Sequence, residues 1–257
     1  MNKITFLSSN IDRYEDLPQR IDKIKQTFAN KLYDFYLLQE IYDDKDLKYI
    51  TPDGYYSLPV SICGNSIISK FKPIKSSVID LGEVDAITAH YDVRGNIFQV
   101  VSTHFAWGTA KEHKRIENAY NLDMELSKTT PFYLNHEKQD IFTIIGGDLN
   151  SEPDSATLRF LLGKDIYKGY STQYIDSFSE DNISKYTSSP KNKYFIRTAL
   201  NNNFPNPEML PERRIDYLLS RGYNYGRVGS PIKSQILSDD PAYYYSDHYP
   251  IEAEIMG

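Results

Sequence analysis

The chain has 257 residues, 40% hydrophobic and 25% charged, an ordinary globular balance that excludes a disordered or collagen-like protein. No apolar run approaches the roughly 18 residues of a membrane span, and the single cysteine, Cys63, cannot close an intrachain disulfide. Lys and Arg total 29 against 35 Asp and Glu, and this formal charge of -6 excludes a generic nucleic-acid coat protein.

Taken in chain order, Lys3 precedes Ile4-Thr5-Phe6-Leu7, an apolar stretch shorter than the roughly 7–15 residues of a signal-peptide core and lacking a small-residue cleavage site. It reads as a first strand. A soluble chain is expected, cytoplasmic or exported without a recognisable signal peptide. Leu17, Ile21, Ile24 and Phe28 then make one stripe of an amphipathic helix, with Pro18 tolerated in its first turn. Strands follow at Phe35–Leu38, Ser66–Ser69, Ala86–Ala89 and Ile97–Val101. A second helix carries Ile116, Ala119, Leu122 and Leu126. After a strand at Ile141–Ile145, Asp154 reads as the cap of a third helix running to Leu162. The stretch from Gly163 to Glu212 is polar and proline-bearing with weak periodicity, the mark of a long functional loop. Strands at Ile215–Leu219 and Ile251–Ile255 close the chain. Continuous apolar runs imply strands buried on both faces, while Ile251–Ile255 alternates as a half-exposed strand does. Elements interleave without a linker, so residues 1–257 are expected to form a single α/β domain, with a (β/α) barrel as one possible architecture.

Several strands run into polar residues able to hold a metal or a phosphate. These are Ser8-Ser9-Asn10, Gln39-Glu40, Thr103-His104 and Gly146-Gly147-Asp148-Leu149-Asn150, joined by Arg214-Ile215-Asp216-Tyr217 and Ser246-Asp247-His248-Tyr249-Pro250. Each has a bland reading. Glu40 could be a salt-bridged acid, Asp148 and Asn150 turn residues, Asp247-His248 an Asx turn, and His104 a hydrogen-bonded core residue. Their co-occurrence beside buried runs is what a site built from convergent strand ends requires.

This ordered series, with Gly64-Asn65-Ser66-Ile67-Ile68-Ser69, resembles the endonuclease/exonuclease/phosphatase (DNase I-like) superfamily from Asn10 to Pro250. That superfamily includes DNase I-like nucleases, abasic-site endonucleases, inositol-polyphosphate 5-phosphatases, neutral sphingomyelinases and tyrosyl-DNA phosphodiesterase 2. Ser9 stands where the family's first motif usually has an aromatic residue. The resemblance implies a four-layer α/β/β/α sandwich of two mixed sheets packed face to face. It implies a Mg²⁺-dependent phosphoester hydrolase, with Mn²⁺ as a substitute. Glu40 would be the principal metal ligand, Asn10 would help bind metal or phosphate, and Asp247 would serve a second metal position or hold the site electrostatically. Asp148 would orient or deprotonate water, Asn150 would donate to the phosphate, Asp216 would orient His248, and His104 would contact the phosphate or leaving group.

The substrate stays open between a nuclease or 5′-tyrosyl-DNA phosphodiesterase and a hydrolase of sphingomyelin or phosphoinositide headgroups. The non-enzyme alternative is a catalytically silent binding module. A nuclease calls for a basic groove. Lys111, Lys114 and Arg115, and Lys191, Lys193 and Arg197, are candidates, but they read first as a solvated helix face and loop. Among 22 tyrosines, Tyr243-Tyr244-Tyr245 could stack a base or meet a lipid headgroup, although AT-rich coding accounts for the composition more plainly. Trp107 is read as packing in its loop rather than dipping into a membrane. A monomer is expected.

Overall fold

Side chains alternate across a strand, so a continuous apolar run must serve two cores at once. In the computed structural model, which describes residues 2–13, 17–129, 141–221 and 228–257, the strands do so. One sheet holds β1 (Lys3–Asn10), β2 (Phe35–Gln39), β3 (Tyr56–Ser57) and β4 (Ser66–Ser69). The other holds β5 (Lys75–Asp80), β6 (Asp85–Val93), β7 (Asn96–His104), β8 (Ile141–Asp148), β9 (Ile175–Asp176) and β10 (Asp216–Arg221). The first sheet is completed by β11 (Pro231–Ile236) and β12 (Ile251–Met256), giving the orders β11-β12-β1-β2-β4-β3 and β5-β6-β7-β8-β10-β9. Each sheet is mixed, with one parallel pair near its middle, β1 with β2 and β7 with β8.

Phe6, Phe35, Leu37, Ile67, Val100, Ile144 and Leu218 meet between the sheets. The alternate residues Leu7, Tyr36, Leu38 and Ile68 face outward onto α1 (Leu17–Asn30) and α2 (Asp44–Ile50). On the opposite side Val101, Ile145 and Leu219 pack with α3 (Glu112–Leu126) and α4 (Ala156–Leu161). Three apolar layers therefore separate four layers of structure, an α/β/β/α sandwich rather than a barrel.

The Gly146-Gly147 pair lies inside β8, not in a turn. A Cβ on Gly146 would stand 2.3 Å from Leu37 Cδ1 in the facing sheet, and one on Gly147 would stand 1.9 Å from the Thr103 carbonyl oxygen of β7. Close approach of neighbouring backbone and of the opposite sheet demands glycine here.

Several sequence expectations change. Ser155, not Asp154, caps α4, its hydroxyl accepting from Leu158 N–H. Residues 163–212 contain β9, the helix α5 (Lys193–Asn201) and a 3₁₀ turn at Pro207–Met209. α5 escapes notice because only Ala199 of it is fully buried. Also unforeseen are α2, whose cap Asp43 accepts from Lys45 N–H, and the edge strands β3, β5 and β11, whose apolar content is low.

Tyr243 and Tyr245 are buried, bonded through their hydroxyls to Tyr33 and Ser9, so they are core residues rather than a stacking surface. A hydroxyl at position 9 suits this packing, because it meets the Tyr245 hydroxyl at 3.0 Å. Trp107, expected to pack in its loop, is instead 64% exposed. The loop on either side of it is pinned, with Arg115 Nη1 donating to the carbonyls of Ala106 and Gly108 at 3.1 and 2.7 Å.

Candidate active site

Register carries the polar strand ends to one edge. His104 pairs with Asp148 across the parallel β7–β8 ladder, and Asp148 pairs with Asp216 across β8–β10, so the three lie in a row. In the facing sheet, Asn10 at the end of β1 pairs with Gln39 at the end of β2, placing Glu40 next. The β12 strand is antiparallel to β1, with Ile251 opposite Ser8, so the Ser246–Pro250 segment enters at this same edge.

The Asp148 carboxylate is the hub. Its Oδ2 lies 3.3 Å from Asn10 Nδ2, 3.4 Å from His104 Nε2 and 3.7 Å from His248 Nε2, while Oδ1 accepts from Asn150 N–H at 2.8 Å. Asn10 Nδ2 also donates to Glu40 Oε1 at 3.1 Å, and Asn10 Oδ1 accepts from Asp12 N–H at 3.0 Å. The amide is thereby oriented with its nitrogen, not its oxygen, toward the carboxylates.

Asn150 Nδ2 donates to Phe105 O and meets His104 Nε2, both at 3.0 Å. A neutral His104 that accepts this bond carries its proton on Nδ1, the atom facing Glu40 Oε1 at 3.9 Å.

His248 Nδ1 lies 2.8 Å from Asp216 Oδ2, the geometry of a buried N–H···carboxylate pair. Burial opposes charge on His248, but the fields of Asp216, Asp247 and Asp148 outweigh it and raise its pKa well above the ordinary value. Burial likewise pushes Asp216 up, against the pull of His248. Asp247 is pushed up to about 7, first by burial and then by repulsion from Asp12, Glu40 and Asp148, with His248 opposing. Seven of the eight sequence-predicted residues are joined by direct contacts, and Asp247 shares their field.

Excess negative charge and oxygen donors are what a hard divalent cation requires. Glu40 and Asp247 fit such an ion on that ground, beside the Asp148 carboxylate. The ligand atoms of Asp148, Asp216 and His248 also all lie within 4.8 Å of one another. His248 Nδ1 and Asp216 are already engaged with each other there, which leaves the Glu40 side as the better-suited position.

Three residues of the site, Asp12, Glu40 and Asn150, hold left-handed backbone at φ 52°, 58° and 52°. For residues with a Cβ this conformation costs free energy and needs support from its surroundings. The support is visible: Ile41 N–H reaches Gly64 O at 3.0 Å, and Leu149 N–H reaches Ile215 O at 2.8 Å. Asp12 was missed by sequence reading. It is fully buried and ion-paired to Arg20 of α1 and Arg197 of α5. Thr187, also missed, accepts from the N–H groups of Ile215 and Asp216. Neither carries a local signal.

Five of the six residues in the basic clusters are paired with carboxylates, while Lys193 lies over the Tyr194 ring. Lys111 and Lys114 both pair with Glu83, Arg115 with Glu112, Lys191 with Glu212, and Arg197 with Asp12. No helix among the described residues is long and apolar enough to cross a membrane.

No curated protein matches the sequence. Among solved structures, the endonuclease/exonuclease/phosphatase from Bacteroides vulgatus is similar, with 17% identity over 99% of each chain and a TM-score of 0.75. D. rerio TDP2 complexed with single strand DNA product shares 17% identity over 100% of each chain, with a TM-score of 0.74. The mannosyl-6-phosphatase of Bacteroides thetaiotaomicron shares 17% over 99% of this chain and 100% of its own, with a TM-score of 0.73. These likenesses establish the fold. Residues 7–248 match the model of one family, spanning nearly every element that builds the site, and the chain belongs to that Endonuclease/Exonuclease/phosphatase family.

Proposed function

We propose that the protein is a divalent-metal-dependent phosphoester hydrolase in which Asp148 handles the attacking water. The observation that carries this reading is the convergence on one Asp148 oxygen of an amide and two imidazoles from three separate segments, with Glu40 beside them. Phosphoester cleavage develops charge on nonbridging and leaving oxygens, and a cation, amide donors and imidazoles around an acid that takes a proton are the parts it needs.

Glu40 and Asp247 would hold the ion, with Mg²⁺ expected and Mn²⁺ a substitute, and the bound cation would supply charge neutralisation at the phosphate. Asn10 steadies the Glu40 and Asp148 carboxylates through its amide nitrogen. Asp148 accepts the water proton. Asp216 fixes the His248 tautomer and favours its charged form, leaving Nε2 to donate toward a phosphate oxygen. Asn150 has both N–H bonds committed to Phe105 O and His104, so a contact with phosphate exchanges one of them. His104, in contact with Asp148 and Asn150, would meet the phosphate or the leaving group.

Diesters and monoesters are both represented among the similar folds, by the names TDP2 with a DNA product and mannosyl-6-phosphatase. Carboxylate pairing of Lys111, Lys114, Arg115, Lys191 and Arg197 supports a short or terminal phosphoester over a long duplex gripped along its backbone. The test is a substrate panel of single- and double-stranded DNA, RNA, 5′-tyrosyl DNA, sphingomyelin, inositol phosphates and phosphoinositides, each with Mg²⁺ or EDTA. EDTA-sensitive turnover of at least one is expected. Metal binding without turnover of any would replace the reading with that of a binding module.

A further inference from the structure

The connection between β9 and β10 enters the site at successive points. Ser188 forms isolated antiparallel bridges with both Arg213 and His248. Thr187 and Ser188 each donate N–H to Arg213 O at 2.9 Å, and Thr187 O accepts from Tyr249 N–H at 2.7 Å. Residues 187–188 are therefore laid as a short strand between the lead-in to β10 and the His248 segment.

The Thr187 hydroxyl is buried and accepts from Ile215 N–H at 3.1 Å and Asp216 N–H at 3.2 Å. Asp216 is the first residue of β10, and its carboxylate holds His248. Farther along, Asn192 Nδ2 donates to Ser246 O at 2.8 Å, while its Oδ1 accepts from Tyr194 N–H at 3.0 Å and so caps α5. One turn into α5, Arg197 pairs with Asp12, whose own N–H orients the Asn10 amide.

Resting on the hydrolase reading above, we propose that residues 187–197 brace the site, with Thr187 and Arg197 as positioning residues that act through Asp216 and Asp12. The reason is geometric. Fixing the Asp216 amide fixes the direction in which its carboxylate leaves the strand, and with it the imidazole. Valine matches threonine in shape but cannot accept the two N–H bonds, whereas serine can. The Arg197 guanidinium ties the strained Asp12 turn to a helix that is itself anchored at Ser246, so that the Asn10 and His248 segments share one support.

The experiment follows the His248 Nδ1–H proton by NMR and steady-state hydrolysis of bis(p-nitrophenyl) phosphate with Mg²⁺ or Mn²⁺, with rates expressed per folded protein from near-UV circular dichroism. In Thr187→Val the imidazole resonance should shift or broaden, and kcat should fall about tenfold with KM within about twofold, the scale of losing a group that orients a catalytic partner. Thr187→Ser should restore both. Arg197→Met should lower kcat by a similar factor, with Arg197→Lys recovering most of it. An unchanged imidazole resonance in Thr187→Val, or equal damage from Val and Ser, would overturn the brace. Wild-type protein that hydrolyses nothing would count against the hydrolase reading instead, and the resonance would still decide the role of Thr187.

Discussion

At Asp148 a single carboxylate oxygen faces three side chains, and an isosteric amide would keep that shape while losing the ability to take a proton. Asp148→Asn should therefore retain the wild-type circular dichroism spectrum and lose at least about a hundredfold in kcat, the scale of a general base. Glu40→Gln should do the same and, unlike Asp148→Asn, abolish most Mg²⁺ binding measured by calorimetry. A second residue gives a prediction about stability. Burial, aided by Lys75 across the β5–β6 ladder, depresses the His90 pKa to about 4, against about 6.5 in an unfolded chain. Between these values the unfolded chain binds a proton that the folded chain refuses, so stability is full above about pH 6.5 and falls as pH drops toward 4. His90→Gln should flatten that limb of a urea-denaturation series relative to wild type, and an unaltered limb would contradict the burial argument.

The β8 strand joins close packing to a place at the candidate site. Its two glycines admit the Leu37 side chain and the Thr103 carbonyl, and the next residue is the hub of the site. Gly147→Ala would meet main chain, which cannot rotate away as a side chain can. A loss of stability of about 1–3 kcal/mol is expected from such overpacking. Because β8 must shift against β7 to relieve it, kcat should fall at temperatures where the variant is fully folded. Denaturation midpoints together with rates below the transition check both halves. α4 offers a contrast: its Ser155 cap can be replaced by alanine at a cost of about 1 kcal/mol without touching the site, since the bond it removes is to Leu158 N–H.

For the whole molecule, the layer between the sheets draws on both of them, from Ile4 to Ile255, and neither can keep its inner face dry alone. The chain is therefore proposed to unfold as one unit, with tyrosine fluorescence, far-UV and near-UV signals coinciding in urea. A separate early transition would point to two units. The net charge of -6 is part of the same picture. Carboxylates concentrated at one edge repel each other, and the proposed cation would relieve that repulsion. Free Mg²⁺ at ten times its dissociation constant should add about 1.4 kcal/mol, or a few degrees of Tm, and Glu40→Gln should lose that gain.

Much of this was legible in the sequence for a physical reason. The type of a residue and the alternation of its neighbours are local facts, so Phe35–Leu38 announced a doubly buried strand and Asp148-Leu149-Asn150 a polar end. The order of such ends resembled one family closely enough to propose the residues of a site. The strands of low apolar content and α5 stayed hidden because their burial is partial, and Ser155 was overlooked beside an equally good capping residue. Asp12 and Thr187 could not be read at all, and Arg197 was read only as one of a basic cluster on the long loop. Arg197 and Asp12 are separated by 185 positions, and nothing in either neighbourhood marks them as partners. Sequence alone thus determined which side chains could carry the chemistry and that strands would deliver them. Tertiary structure decided which atoms meet, how Asn10 and Asn150 turn their amides, and where the long connection lies, because those follow from strand register and layer packing, which no local pattern encodes.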